Sequence, residues 1–446
     1  MTRTTIRSED ITAGQVKSAD LASDAVTPFD DAGLQGDIAL LGFKVASNGS
    51  LSKYDLIDQT IDDFQDATGV DASASTNDSR DSSGKYYKGA VAGTTTQHTA
   101  SGTHTATSTG TATILIVGGG GGGGYDLGAG GGGGGAREIT QSLTSGTGYT
   151  VTIGAGGSGS SSTSNSGGNG SSSVFDSTTV TGGGGGASRS SGGGASTTDG
   201  SGGGGAGVYG TSNSGGAGGT YGNAGGNSDG SNYPTGGGGG AGGAGGNATV
   251  VSAPNGSGGN GGVGLLFSTF SSYGESGYFA GGGGGDSTGG SAEGTGGNGG
   301  GGDGGSQAGT ANTGGGGGGG SSADGGSGVV IVKDADVPAD LTLISNATTA
   351  EAVPTKGDLV MTYTNGAGTA TINTDIKGWA SRDNGVTYTQ FTLADEGDTG
   401  GHTILTAHDL DISGQPSGTA MRYKITTHNQ SASKETRIQA VSLGWS

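Results

Sequence analysis

The sequence predicts a mainly β and non-regular fold. It reads as an N-terminal apolar-repeat segment with short helices, a polyglycine-II helix bundle bracketed by β-strands, and a C-terminal antiparallel β-sandwich. Three observations carry this expectation. Of 446 residues, 112 are Gly, against an average usage of about 7%. Two apolar runs, Ile114-Leu115-Ile116-Val117 and Val329-Val330-Ile331-Val332, enclose a block made mostly of Gly, Ser, Ala, Asn and Thr. Beyond the block, residues 338–446 alternate apolar and polar between turn signals, the pattern of half-buried strands.

Residues 1–27 carry an apolar residue at every fifth position: Ile6, Ile11, Val16, Leu21 and Val26. A period of five fits neither a helix stripe nor a strand alternation. One chain cannot bury these side chains alone, but parallel copies wound round a common axis can. These five residues are therefore the expected oligomer axis. A disordered polar leader with chance spacing is the alternative. Pro28 ends the repeat. Leu34, Ile38, Leu41 and Val45 then follow helical spacing, with Asp30 or Asp31 as candidate cap, and so do Leu56, Ile57, Ile61 and Phe64 within Asp55–Gln65. Residues 66–94 are polar and read as an extended connector. The expected divisions are 1–45 for the N-terminal repeat segment, 46–94 for helix and connector, 95–335 for the glycine-rich domain, and 336–446 for the C-terminal domain.

From Thr95 the chain turns to Thr/Ser-rich alternation leading into Ile114–Val117, and further strands are expected at Tyr149–Ile153 and Val174-Phe175. Glycine runs recur at 118–124, 130–135, 182–186, 236–240, 281–285 and 314–320. A flexible linker is the compositional default for such sequence. Collagen requires Gly at every third position and abundant Pro; here the runs are out of register and the whole chain has six Pro. The remaining state is a set of extended, three-residue-per-turn helices packed side by side. Such a helix makes no internal hydrogen bonds, so its backbone groups must find partners on neighbouring runs. At about 3.1 Å per residue, a seven-glycine run spans roughly 22 Å. The apolar brackets and the recurring aromatics favour this bundle over a linker, and the brackets are expected to pair with each other. The entropy of ordering Gly opposes it.

In residues 338–446 strands are expected at Asp358–Thr364, Val386–Leu393, His402–Thr406, Met421–Thr427 and Arg437–Leu443, with turns at Asn365-Gly366, Asp383-Asn384-Gly385 and 414–418. Trp379 and Trp445 are expected in the core or at a subunit interface.

Several stretches resemble phage tail proteins. The sequence ILIVGGGGGGG, then TGYTVTIGAGGSG, then GGSGVVIVK is similar to the glycine-rich domain of phage tail-fibre and adhesin proteins, over roughly residues 95–333. TIRSEDITAGQVKSADLASDAV resembles the repeats that begin tail-fibre shafts. IDDFQDATGVDASASTNDSRDSSGKYYKG looks like a module preceding such domains in phage structural proteins, marine ones especially. The resemblance implies a homotrimeric fibre. Its N-terminus would join a virion tail or baseplate protein, and its distal parts would touch a bacterial surface glycan or outer-membrane protein. The order departs from the pattern, because here a β-domain follows the glycine block.

No catalytic constellation, cofactor motif or metal set is evident, and the chain is read as non-enzymatic. There is no Cys, no G-x-S-x-G elbow and no G-x-x-x-x-G-K-[ST] loop. His98 and His104 share a strand face, a weak metal hint set against the solvent-facing reading. A polysaccharide depolymerase and a purely structural fibre or decoration protein are the alternatives. For binding, the stretch 265–279 with Phe267, Phe270, Tyr273 and Tyr278 is the main candidate, beside Tyr209, Tyr221 and Tyr233 in turns between runs. The competing reading has the 265–279 rings covering a bundle that lacks side chains of its own. A net charge of −20 speaks against nucleic acid, whose phosphates need clustered Lys/Arg. Apolar runs of four or five residues rule out helical membrane insertion. MTRTTIRSED has no apolar core, so no secretory signal is expected. Synthesis in the host cytoplasm and release by lysis follow as expectations for a virion component.

Overall fold

The structure is a computed structural model that describes residues 53–56, 58–191, 194–195, 197–207, 211–230, 233–252, 255–288 and 291–446. The five-residue repeat at Ile6, Ile11, Val16, Leu21 and Val26, the helix expected over 34–46, and Tyr209 lie outside the described residues. Among the described residues the chain is mostly β in several antiparallel sheets, and the one helical element is a single 3-10 turn, Ser268–Phe270. No helix among them is long and apolar enough to cross a membrane. The chain divides into two compact units: residues 92–336 form one, and residues before 92 join residues after 336 in the other.

The described chain begins with β1 (Lys53–Leu56), β2 (Gln59–Asp62), β3 (Asp78–Asp81) and β4 (Tyr86–Val91). This corrects the helix expected over Asp55–Gln65. Asp58 and Phe64 have φ of 60° and 55°, left-handed values that end a helix. Between them β2 pairs with β1 in a tight hairpin. The buried Asp62 carboxylate accepts the Phe64 N–H at 2.9 Å and the Tyr423 hydroxyl at 3.3 Å, which fixes the turn and drives Phe64 inward.

The unit spanning 92–336 opens with β5 (Thr95–His98), β6 (Gly102–Thr105), β7 (Gly110–Val117), β8 (Ala136–Leu143), β9 (Gly148–Thr152), β10 (Ser173–Phe175) and β11 (Thr178–Val180). It continues through β12 (Thr249–Ser252), β13 (Asn255–Ser257), β14 (Leu265–Leu266) and β15 (Tyr278–Phe279) to β16 (Val329–Lys333). The two apolar brackets pair as expected: β16 runs antiparallel to β7, with Val329 opposite Val117 and Val332 opposite Ile114. All eight bracket residues are fully buried. A strand covered on both faces reads as an unbroken apolar run, and both covers are present. Ile114, Ile116, Val330 and Val332 pack with Leu143, Val151, Phe175 and Val180. Leu115, Val117, Val329 and Ile331 pack with Phe267, Phe270 and Phe279. Each buried side chain of this size contributes about 1.5–3 kcal/mol, so this sheet anchors a unit otherwise poor in side chains.

The glycine runs are ordered by backbone bonding with a three-residue repeat. In run 118–124, Gly118, Gly121 and Gly124 donate to the carbonyls of Gly135, Gly132 and Ala129. Gly119 and Gly122 donate to Ser171 and Gly168, and Gly120 and Gly123 to Gly326 and Ala323. These three neighbours run antiparallel. Three parallel neighbours donate in return: Gly183 and Gly186 to Gly119 and Gly122, Gly157 and Ser160 to Gly120 and Gly123, Gly317 and Gly320 to Gly121 and Gly124. Six segments thus surround one run, and both polar groups of Gly119 to Gly124 are satisfied. The cost of ordering glycine is offset by bonds that need close backbone approach. At Gly121 that approach leaves no room: an added Cβ would lie 2.1 Å from the Gly184 carbonyl oxygen.

After the insertion the first unit resumes with β17 (Val337–Pro338), β18 (Thr342–Ile344), β19 (Thr348–Thr349), β20 (Lys356–Ala367), β21 (Ile376–Ser381) and β22 (Thr389–Gln390). It ends with β23 (Ala394–Thr399), β24 (His402–Asp411), β25 (Ala420–Thr427) and β26 (Glu435–Trp445). A nine-stranded sheet has the order β1-β2-β26-β20-β24-β23, with β4 also on β26 and carrying β3 and β17. A five-stranded sheet has the order β18-β25-β21-β22, with β19 on β25. One hydrophobic core draws side chains from both sheets. Leu359, Met361, Leu405 and Leu443 come from the first, and Ile376, Met421, Tyr423 and Ile425 from the second. Phe64, Val70 and Tyr87 belong to the same core, so residues 53–91 are structural strands and turns rather than a connector.

Two further expectations change. Asn365-Gly366 is not a hairpin turn; it lies inside β20, at a bulge where Asn365 faces Thr436 and Ala367 faces Glu435. Of Val386–Leu393 only Thr389–Gln390 forms a strand, and Val386 is 83% exposed at the turn. Trp445 is buried in the core, whereas Trp379 stands half-buried on the outer face of the five-stranded sheet, alternating with inward Ile376 and Ala380.

Candidate functional site

The stretch 265–279 folds into a hairpin whose strands β14 and β15 pair Leu265 with Phe279 and Leu266 with Tyr278. The Phe267 N–H donates to Gly277 at 2.9 Å, and the Gly277 N–H donates to Tyr273 at 2.8 Å. Gly277 sits at φ 87°, which turns the chain back. Glu275 pins the loop from outside: its carboxylate accepts the N–H groups of Gly299 at 2.6 Å and Gly300 at 3.1 Å. The fold directs Phe267 and Phe270 inward, 8% and 1% exposed, against the bracket strands. This corrects their assignment as contact residues: a buried ring cannot meet a partner. They cover the apolar brackets. Tyr273 and Tyr278 stay half-buried. Leu265 and Leu266, not singled out by sequence, are the exposed apolar residues of the hairpin, at 39% and 49%, with Val263 beside them at 42%. Their signal was the Leu-Leu pair itself, unusual beside Gly and Ser, but period alone could not tell which of five large apolar residues would turn inward.

Tyr221 lies half-buried against the opposite cover of the bracket sheet, with the Arg137 guanidinium 5.2 Å from its ring centre. Tyr233 is half-buried at φ 67°. Arg189 lies 5.4 Å from its ring centre and pairs with Asp126 at 3.2 Å. The described candidates therefore do not converge. Tyr273 packs with the cluster on one face of the bracket sheet, and Tyr221 with the cluster on the other.

The two histidines of the first strands behave differently from the solvent-facing reading. His104 is 2% exposed. Its Nε2 is 3.1 Å from Asp334 Oδ1, and its Nδ1 is 3.2 Å from His98 Nε2. Thr107 donates to Asp334 Oδ2 through its N–H at 3.0 Å and its hydroxyl at 2.7 Å. Burial opposes ionisation of Asp334, but the bonds from Thr107 and His104 outweigh it and hold the carboxyl below the usual range. Burial and the neighbouring His104 push the His98 pKa down. The network ties β6 to the residue that follows β16. Among the described residues no three His, Asp or Glu side chains converge as a metal set.

Asp286 forms a second polar cluster at the end of a glycine run. The Ser287 N–H donates to Asp286 Oδ1 and to Glu293 Oε2, both at 2.9 Å. Burial, then the Glu293 charge, push the Asp286 pKa up to about 7. The folded state thus holds a proton that the unfolded chain, with a pKa near 3.8, releases. This contribution is complete below about pH 4 and is lost as pH rises through about 7. Asp286→Asn cannot ionise, so its stability relative to the parent is expected to rise between about pH 4 and 7 and to level off above that in melting experiments. A difference independent of pH would show that Asp286 titrates normally.

Residues 94–334, more than half of the chain, match the family of glycine-rich domains. No curated protein matches the chain.

Proposed function

Because the chain belongs to the glycine-rich domain family, we propose that it is a non-enzymatic phage tail-fibre or adhesin subunit that binds a bacterial host surface. The observation that carries this reading is the three-residue bonding repeat with six neighbours around run 118–124. It supports a bundle of polyglycine-II helices, a rigid scaffold whose specificity would lie in the connecting turns. The core shared by the two sheets of the other unit supports a β-sandwich. In this reading the N-terminal repeat trimerises the protein and joins it to a virion tail or baseplate protein. A surface glycan or an outer-membrane protein is the receptor class.

Purified protein is expected to block adsorption of the virion to its host, and to lose the block when Tyr221, Tyr233 and the exposed Leu265-Leu266 pair are replaced by Ala. Light scattering should give three copies. A monomer ends the trimer, and failure of the purified protein to compete at saturating concentration ends the adhesin role. The inward direction of Phe267 and Phe270 favours a second reading, a purely structural fibre component. In that case adsorption is insensitive to all three surface changes.

A further inference from the structure

The outer face of the five-stranded sheet carries chemistry that the fold does not use. Along β25, Met421, Tyr423 and Ile425 enter the core, while Arg422, Lys424 and Thr426 stand half-buried on the other side. Register sets Trp379 of β21 opposite Lys424, and Lys377 opposite Thr426. Tyr388, just before β22, completes the group. Lys424 Nζ lies 4.5 Å from the centre of the Trp379 ring and 4.1 Å from that of Tyr388.

No carboxylate pairs with Lys424 or Lys377 among the described residues. The chain as a whole has 38 acidic residues against 18 Lys and Arg. Lys88, Lys356 and Lys434 each hold an acid within 2.9 Å. Arg422, at the other end of the same face, is neutralised by Asp71 at 2.6 Å and held by Asn384 at 2.8 Å. On this face the uncompensated positive charge is thus carried by Lys424 and Lys377. Burial lowers the pKa of Lys424, with no acid to raise it again. A partly desolvated ammonium with free N–H donors is a cost to the folded protein. Contact with two aromatic faces offsets part of it, by about 0.5–2 kcal/mol, and leaves the donors unused.

We propose that this face binds an acidic polysaccharide. A sugar ring stacks on Trp379 and Tyr388, and its carboxylate or sulfate completes Lys424, with Lys377 taking the next charge along the chain. The aromatic surface favours the C–H faces of a sugar, and the two lysines select against neutral ones. At physiological salt, fields are screened beyond about 8 Å, so the strong overall negative charge does not prevent a local anion site. The inference rests on the host-surface reading above for its biological setting, but the site stands on its own geometry.

The test is calorimetric titration of the full chain with polygalacturonate, dextran sulfate and neutral dextran. Binding to one or both polyanions and none to dextran is expected, and which polyanion binds separates a uronate from a sulfate ligand. Lys424→Met keeps the packed stem and removes the charge; it should weaken binding at least about tenfold, equal to 1.4 kcal/mol, with a melting temperature unchanged or raised. Lys424→Arg should retain binding, and Trp379→Ala should lose it. Binding of neither polyanion, or equal binding by Lys424→Met, overturns the proposal. Adsorption competition run in parallel keeps the two readings apart. Lys424-dependent polyanion binding without competition ends the adhesin role alone, and competition without polyanion binding ends this site alone.

Discussion

Gly121→Ala is expected to lower the stability of the glycine-rich unit by more than about 3 kcal/mol, a fall of roughly 6–12 °C in its melting temperature. On an exposed surface a Gly→Ala change is neutral or mildly stabilising, because it restricts the unfolded chain. At Gly121 that gain is outweighed by collision. The new methyl would sit 2.1 Å from the Gly184 carbonyl oxygen and 2.5 Å from its carbon. Neither atom can rotate away as a side chain would, since Gly184 itself donates to Ser201 and its oxygen accepts from Gly132. Relief requires parting two runs and breaking bonds on both. Gly102→Ala is the control: a Cβ there meets nothing within 4 Å, and the change should stay within about 0.5 kcal/mol. Equal melting curves for the two variants would mean that the runs are not packed at backbone contact. Native alanines mark where the lattice does admit a methyl. Ala129, Ala187 and Ala206 are fully buried and share one cluster, so their Cβ atoms meet one another instead of a carbonyl.

The bracket strands were legible because four consecutive apolar residues have one economical explanation, a strand covered on both faces, and two such strands flanking one block have each other as partner. The three-residue bonding of the runs followed from the satisfaction rule for buried backbone. What covers the brackets was less legible. Sequence supplied Phe267, Phe270 and Phe279 but no period from which to read direction, since a tight hairpin with left-handed residues at Gly274, Ser276 and Gly277 decides which rings turn inward. The solvent-facing expectation for His104 fails because it is buried against a distant acid. Its partner Asp334 lies 230 residues away, and no local pattern announces such a pair.

The misreading of residues 53–91 has a similar cause. Leu56, Ile57, Ile61 and Phe64 match a helical stripe by spacing, and hydrophobic period is blind to the buried Asp62 that closes the turn. Asn365-Gly366 failed in the opposite sense: a strong local turn signal was overridden by the long pairing of β20 with β26. In both cases the deciding contacts join segments separated by the entire glycine-rich unit or by most of the C-terminal part.

That discontinuity yields the second large prediction. Residues 336–446, taken by composition as a domain, should not fold alone, whereas deleting 92–336 and joining Val91 to Val337 through Asn-Gly should give a soluble, cooperatively melting protein. The isolated C-terminal part loses Phe64, Val70 and Tyr87 from its core. Truncating a single buried aromatic costs about 3–5 kcal/mol, and whole domains are stable by only about 5–15 kcal/mol. It also bares one edge of β26. That edge is covered by β2 along Val441–Gly444 and by β4 at Arg437 and Ile438, and a long unpaired strand edge recruits other chains. The joined protein keeps all of these. Its new connection is geometrically simple, because Val91 and Val337 already face each other in the antiparallel β4–β17 pair, which a two-residue Asn-Gly turn can close. Circular dichroism and melting of the two proteins decide the matter. A cooperative transition in 336–446 alone would show that residues 53–91 are dispensable to a core they now help to fill, and aggregation of the joined chain would show that this unit needs residues 92–336 to fold. If the joined protein folds, the glycine-rich unit behaves as an insertion into a loop, and its runs can vary in number and length without disturbing the sheets that carry it.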